Sequence, residues 1–63
     1  MSARLYAVQI HDYRGGWKDY GVYSMREKKC NDVGEAYTRA NNQATRTLRK
    51  PKGFIPPPGS TVF

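Results

Sequence analysis

The sequence predicts a small α+β fold in which an antiparallel β-hairpin packs on one α-helix. Three observations predict it: two runs rich in aromatic and β-branched residues on either side of Gly15-Gly16, a 3.6-residue recurrence of apolar positions after Asp32, and a length of 63 residues, enough for one domain. A two-stranded sheet is marginal alone, so a third strand is expected from the C-terminal segment, in the order ββα(β). The domain is expected to span residues 1–55, with 56–63 forming a Pro-rich tail that is partly ordered or adds an edge strand.

The first run is Leu-Tyr-Ala-Val-Gln-Ile-His-Asp-Tyr from Leu5 to Tyr13, and the second is Trp-Lys-Asp-Tyr-Gly-Val-Tyr-Ser-Met from Trp17 to Met25. A Gly-Gly pair between such runs suits a two-residue hairpin turn, whose central positions both need positive φ. With a loop of Gly15 and Gly16 alone, Arg14 faces Trp17. Val8 with Tyr23, Ile10 with Gly21 and Tyr6 with Met25 then share the core face. The opposite face pairs His11 with Tyr20, Gln9 with Val22, Tyr13 with Lys18 and Ala7 with Ser24. A one-residue bulge would reassign both faces. Exposed tyrosines beside Lys18 and Arg14 suit base stacking, although tyrosine is also a good strand former and cross-strand aromatic pairs stabilise a sheet without any ligand. Arg14-Gly15-Gly16 reads as a turn rather than as an RNA-binding tripeptide.

Residues 26–31 form a charged connector, and Asp32 with Glu35 resembles a capping box that opens a helix expected from about Val33 to Arg49. Val33, Ala36, Tyr37, Ala40, Ala44 and Leu48 form its apolar stripe, with the alanines permitting close approach to the sheet. Pro51 ends it. The other side of the same helix carries Arg39, Asn42, Gln43, Arg46, Arg49 and Lys50. In the tail, Phe54 and Ile55 can cover the end of the core, and Pro56-Pro57-Pro58 favours an extended stretch.

Charge is distributed unevenly. Residues 1–35 hold six basic and five acidic side chains, whereas residues 36–63 hold five basic and none acidic, so the net charge of +6 arises almost wholly in the second half. A field of one sign implies an anionic partner, either an acidic protein surface or nucleic acid. Arg forks match carboxylate and phosphate oxygens, and Asn and Gln contact phosphates or base edges. The residues expected to meet the partner are therefore Arg39, Asn42, Gln43, Arg46, Arg49 and Lys50 from the helix, with Tyr13, Arg14, Trp17, Lys18 and Tyr20 from the hairpin. Basic groups near a helix C-terminus also complement its dipole, so three of the helix residues have a structural explanation as well.

Enzymatic chemistry is not expected. One Cys and one His make neither a metal set nor a disulfide, no nucleophile–base arrangement can be drawn, and the glycines match no phosphate-binding loop. No cofactor, small-molecule substrate or membrane is expected as a partner. The start Met-Ser-Ala-Arg-Leu-Tyr-Ala lacks an apolar leader run, which suggests a cytoplasmic protein, and the size is that of many phage accessory proteins.

The order strand, glycine turn, strand, connector and Ala-rich basic helix, over about residues 4 to 50, is similar in topology to the small N-terminal DNA-binding domains of phage-type tyrosine recombinases. It also resembles the strand-strand-helix-strand plan of small phage inhibitors of host RNA polymerase. The second resemblance implies an accessory protein that binds and inhibits a host nucleic-acid enzyme or defence complex. The first implies direct DNA or RNA binding through the basic helix face and hairpin tip.

Overall fold

The structure is a computed structural model that describes residues 4–63. Its elements are β1 (Tyr6–Asp12), β2 (Gly16–Ser24), α1 (Glu27–Asn41), β3 (Thr45–Arg49) and β4 (Thr61–Val62). The strands form one mixed sheet in the order β3-β1-β2-β4, with β1 antiparallel to both β2 and β3, and β4 parallel to β2. One helix covers one face of the sheet. The fold is therefore the expected α+β hairpin-on-helix arrangement, with one strand more than expected. No helix among the described residues is long and apolar enough to cross a membrane.

The hairpin forms where the glycines place it, but with a different register. Asp12 pairs with Gly16, so the loop holds the three residues Tyr13, Arg14 and Gly15 rather than Gly15 and Gly16 alone. The Asp12 side chain decides this, because its Oδ1 accepts the Arg14 N–H at 3.1 Å while the Gly15 N–H bonds the Asp12 carbonyl at 3.2 Å. Gly15 and Gly16 both have positive φ, of 140° and 135°. Ile10 now lies opposite Lys18 and Gln9 opposite Asp19. Relative to the expected register every β2 side chain has moved to the other face, as an odd shift in pairing requires. Further along, Ala7 pairs with Tyr23, so residues 20 to 22 bulge opposite Val8, and Gly21 supplies the φ of +96° at their centre.

The helix also differs from expectation at both ends. It begins at Glu27, inside the expected connector, because Glu27, Lys28 and Lys29 are good helix formers and the Ser24 hydroxyl accepts the Arg26 N–H at 3.1 Å, turning the chain into it. Asp32 and Glu35 lie within the helix and form no cap. It ends at Asn42, which adopts the left-handed conformation (φ 52°, ψ 42°) and donates its N–H to the Thr38 carbonyl at 2.8 Å. Beyond it, Thr45-Arg-Thr-Leu-Arg49 forms a strand along β1, where alternating β-branched residues fit a half-covered pleat. Pro51 therefore follows a strand, not the helix.

The helix face against the sheet is built from Cys30 and Gly34, both buried, flanked by the half-buried Val33 and Tyr37. Ala36, Ala40 and Ala44 are exposed, so the close approach comes from glycine rather than alanine. A Cβ at Gly34 would sit 2.9 Å from Thr45 Oγ1. Thr45 Oγ1 donates to the Gly34 carbonyl at 2.9 Å, Thr47 donates to Asn31 Oδ1, and the Cys30 thiol donates to the Tyr6 carbonyl at 3.3 Å. Val8 and Ile10 are in the core as expected, but Met25 is 59% exposed, and Tyr23 is buried from the opposite face.

The C-terminal segment crosses that opposite face through two turns, each with glycine at positive φ in its third position. Phe54 N–H bonds the Pro51 carbonyl around Gly53, and Ser60 N–H bonds the Pro57 carbonyl around Gly59, with φ of 87° at both glycines. The first turn brings the Phe54 ring to 5.3 Å from the Tyr23 ring, and the second carries β4 to the edge of β2, where the Phe63 N–H bonds the Tyr23 carbonyl at 2.9 Å.

Candidate binding surface

The sheet face away from α1 carries Ala7, Gln9 and His11 of β1, Trp17, Asp19 and Tyr23 of β2, and Arg46 and Leu48 of β3. Register places Arg46, Gln9 and Asp19 in one row across three strands. Arg46 Nε donates to Gln9 Oε1 at 2.9 Å, and Gln9 Nε2 donates to Asp19 Oδ1 at 2.8 Å. Only a side chain that both accepts and donates can link a guanidinium to a carboxylate in this way, and the Gln9 amide does so while 6% exposed.

Asp19 is the acceptor on which the row converges. Its Oδ2 takes the Tyr23 hydroxyl at 3.0 Å and the Lys50 ammonium at 2.8 Å. Partial burial works against the charged form, but the hydrogen bonds from Lys50, Gln9 and Tyr23, together with the Lys50 charge, hold the carboxyl below its ordinary pKa. Burial, then the adjoining carboxylate, pushes the Tyr23 phenol up. Lys50 also lies 4.9 Å from the Phe54 ring centroid, so its charge is committed inside the fold.

Toward the hairpin end the row opens onto aromatic side chains. The Arg46 guanidinium stacks over Trp17 at 4.4 Å from the ring centroid, Trp17 meets His11 edge-on at 5.1 Å, and His11 meets Tyr13 edge-on at 6.3 Å. Tyr13 is 82% exposed. A guanidinium fixed by both a hydrogen bond and a ring has lost its rotamer freedom before any partner arrives, which lowers the cost of association.

The expected partner-binding residues are thus divided among several surfaces. Trp17, Arg46 and Lys50 belong to the face just described, with Tyr13 and Arg14 in the adjoining loop. Lys18 and Tyr20 point to the helix side, where the Tyr20 ring packs 4.9 Å from Tyr37. Arg39 lies on α1 and pairs with Glu35, one turn earlier on the same helix, at 3.4 Å. Asn42 is the helix cap. Gln43 turns inward, donating to the His11 carbonyl at 2.7 Å and accepting from Tyr37 at 3.2 Å. Arg49 stands exposed on β3. The single helical stripe is therefore corrected to one helical residue, two residues of the turn, and three at the edge of the sheet.

Gln9, Asp19, Tyr23 and Phe54 were not legible as a network, because only the bulged register brings them together. Cys30 lies not in an exposed connector but buried in α1, and burial pushes its thiol pKa up, partly offset by a backbone hydrogen bond from Ser24. Among the described residues, no three His, Cys, Asp or Glu side chains are grouped to hold a metal ion. No family model, curated protein or solved structure matches this chain.

Proposed function

We propose that this chain is a small non-enzymatic binding protein that engages an acidic protein surface, in the manner of a phage-type accessory protein that inhibits a host nucleic-acid enzyme or defence complex. The observation that carries the reading is the Arg46–Trp17 stack beside exposed Tyr13. Arg, Trp and Tyr are the residue types enriched at the energetic centres of protein interfaces, and here the cation is held in place in the free protein. Among the described residues, acids are matched locally near this cluster: Asp12 caps its own turn and Asp19 is satisfied by Lys50. Arg46 keeps guanidinium N–H groups beyond the one given to Gln9, and these suit a carboxylate.

Direct nucleic-acid binding is the second reading, and the row of His11, Trp17 and Tyr13 favours it, since aromatic rings beside arginine stack on unpaired bases. Two measurements on the intact chain separate the readings. Titration with single- and double-stranded oligonucleotides at near-physiological salt is expected to show no shift. Retrieval from a host lysate is expected to yield a stoichiometric protein, lost when Trp17→Ala is used as bait, with a weakening of about tenfold in the purified pair. Oligonucleotide binding whose logarithmic salt slope is about −0.7 to −0.9 per phosphate contact would overturn the first reading in favour of the second.

A further inference from the structure

The two edges of the sheet are treated differently by this fold. At the β2 edge the chain's own C-terminus is added as β4, paired in parallel. At the other edge, β3 has no strand beyond it among the described residues. The pairing shows which of its backbone groups are unused. Lys50 N–H bonds the Leu5 carbonyl at 2.8 Å and His11 N–H bonds the Ala44 carbonyl at 3.0 Å, so residues 44, 46, 48 and 50 turn their peptide groups toward β1. In an antiparallel ladder alternate residues point the opposite way, which directs the N–H and C=O of Thr45, Thr47 and Arg49 outward.

Beside this edge, between β3 and α1, runs a groove of about 370 Å³ lined by Asn31, Gly34, Thr38, Thr45, Arg46 and Thr47. Glu35 also lines it, and its charge is matched by Arg39. Apart from Glu35 and Arg46, the side chains lining it are short, which leaves the space open. Arg46 stands on the open face of β3 and Arg49 on the helix face, since successive strand residues alternate and these two are of opposite parity.

We infer that the β3 edge accepts an extended acidic segment of a partner protein as a fifth strand, with its backbone on Thr45, Thr47 and Arg49 and its carboxylates on Arg46 and Arg49. The inference rests on the reading of an acidic protein partner and specifies how that partner is held. Charge selects this occupant over a second copy of the chain, because a second β3 strand would bring two more arginines to the edge and no carboxylate to meet them. Geometry selects its pattern. Positions opposite residues 46 and 49 are three apart in the added strand whichever way it runs, one on each face. The residue opposite Leu48 is apolar, and the one opposite Thr47 is small and polar, facing the groove. The partner motif is therefore acid, two intervening residues, acid, in an extended conformation.

The test uses blocked synthetic peptides containing Glu-Val-Thr-Glu for an antiparallel strand and Glu-Thr-Val-Glu for a parallel one, with Lys-for-Glu versions as controls, titrated into the full chain and followed by amide NMR. One acidic peptide is expected to bind weakly, with Kd on the order of 0.1–1 mM for so short a contact. It should shift and protect from exchange the amides of Thr45, Thr47 and Arg49, and the Lys controls should leave them unmoved. Arg49→Gln is expected to weaken binding about threefold without altering the rest of the spectrum. A chemically synthesised chain with an N-methyl group on the Thr47 amide loses an outward donor only, so it should fold and fail to bind.

Binding that shifts the Trp17 indole and Tyr13 while β3 amides stay unmoved overturns strand addition and leaves the acidic-partner reading intact. Equal binding by the folded N-methyl chain, or no saturable binding by either acidic peptide, also overturns it. The oligonucleotide and retrieval measurements judge the broader reading separately.

Discussion

Replacing Gly34 with alanine tests the packing that holds the helix against the edge strand. Gly34 has ordinary helical φ, so by helix propensity alone alanine would stabilise α1 by about 0.8–1 kcal/mol. Space argues the other way. The new Cβ would lie 2.9 Å from Thr45 Oγ1, 3.4 Å from Thr45 Cβ and 3.8 Å from Val8 Cγ1, so the hydroxyl oxygen is the atom that must move. It is not free to do so. Thr45 donates to the Gly34 carbonyl at 2.9 Å, and its oxygen lies 3.0 Å from Thr38 Oγ1, whose single hydrogen is shared between Thr45 and the Gln43 carbonyl. Rotating Thr45 away forfeits up to two hydrogen bonds worth about 0.5–1.5 kcal/mol each, more than propensity returns. Gly34→Ala should therefore destabilise by about 1–2 kcal/mol, and for 63 residues each kcal/mol lowers Tm by about 7 °C. In a Thr45→Ala background the obstruction is gone, and the same glycine substitution should be neutral or stabilising by up to about 1 kcal/mol. The assay is thermal or urea denaturation of the four proteins of this double-mutant cycle, with an expected coupling of about 2 kcal/mol. A higher Tm for Gly34→Ala alone, or a coupling within about 0.3 kcal/mol of zero, would refute the steric account.

Two further predictions concern titratable groups. Because the folded-state pKa of Asp19 is depressed, its contribution to stability is fully present above the unfolded value of about 3.9 and is lost as pH falls through the folded value below it. Asp19→Asn should lower stability at neutral pH and flatten the fall in stability below about pH 4, and an unchanged acid limb in urea titrations would remove Asp19 as its source. Cys30 is buried with its thiol pKa raised, so Ellman's reagent at mildly alkaline pH should react slowly with the native chain and promptly in denaturant; prompt native labelling would show that α1 does not seal this site.

The legible parts of the fold are those decided by local chemistry. Gly15 and Gly16 mark the hairpin because positive φ is a property of the residue itself. Register was not legible, since it depends on which backbone groups the Asp12 side chain captures and on the bulge that Gly21 permits two-thirds of the way along β2. Residues 44–49 satisfy two periods at once. Ala44 and Leu48 continue a helical stripe, while Thr45 and Thr47 alternate as in a strand, and the choice is tertiary because β1 has an outer edge to pair. Of the candidate site, the acid-free second half was legible as charge. The row Arg46, Gln9 and Asp19 was not, because it draws one residue from each of three strands.

That change of element alters what the charge asymmetry means. On a continuous helix, Arg46 and Arg49 would be cations on a face whose backbone hydrogen bonds are already internal, able to attract any anion and to discriminate little among them. On β3 the same two arginines flank outward peptide groups with fixed spacing and direction. A diffuse anion such as a phosphate backbone satisfies the arginines but has no alternating N–H and C=O to offer the edge, whereas an extended acidic peptide satisfies both. Of the five carboxylates, Glu27, Asp32 and Glu35 lie on α1, Asp12 ends β1 and accepts the Arg14 N–H of the hairpin loop, and Asp19 is joined to Lys50, so none competes along the open face of β3. On the proposed reading, the acid-free half of the chain matters because residues 45–49 within it form a strand at the margin of the sheet, where outward peptide groups and the positive charge of Arg46 and Arg49 coincide.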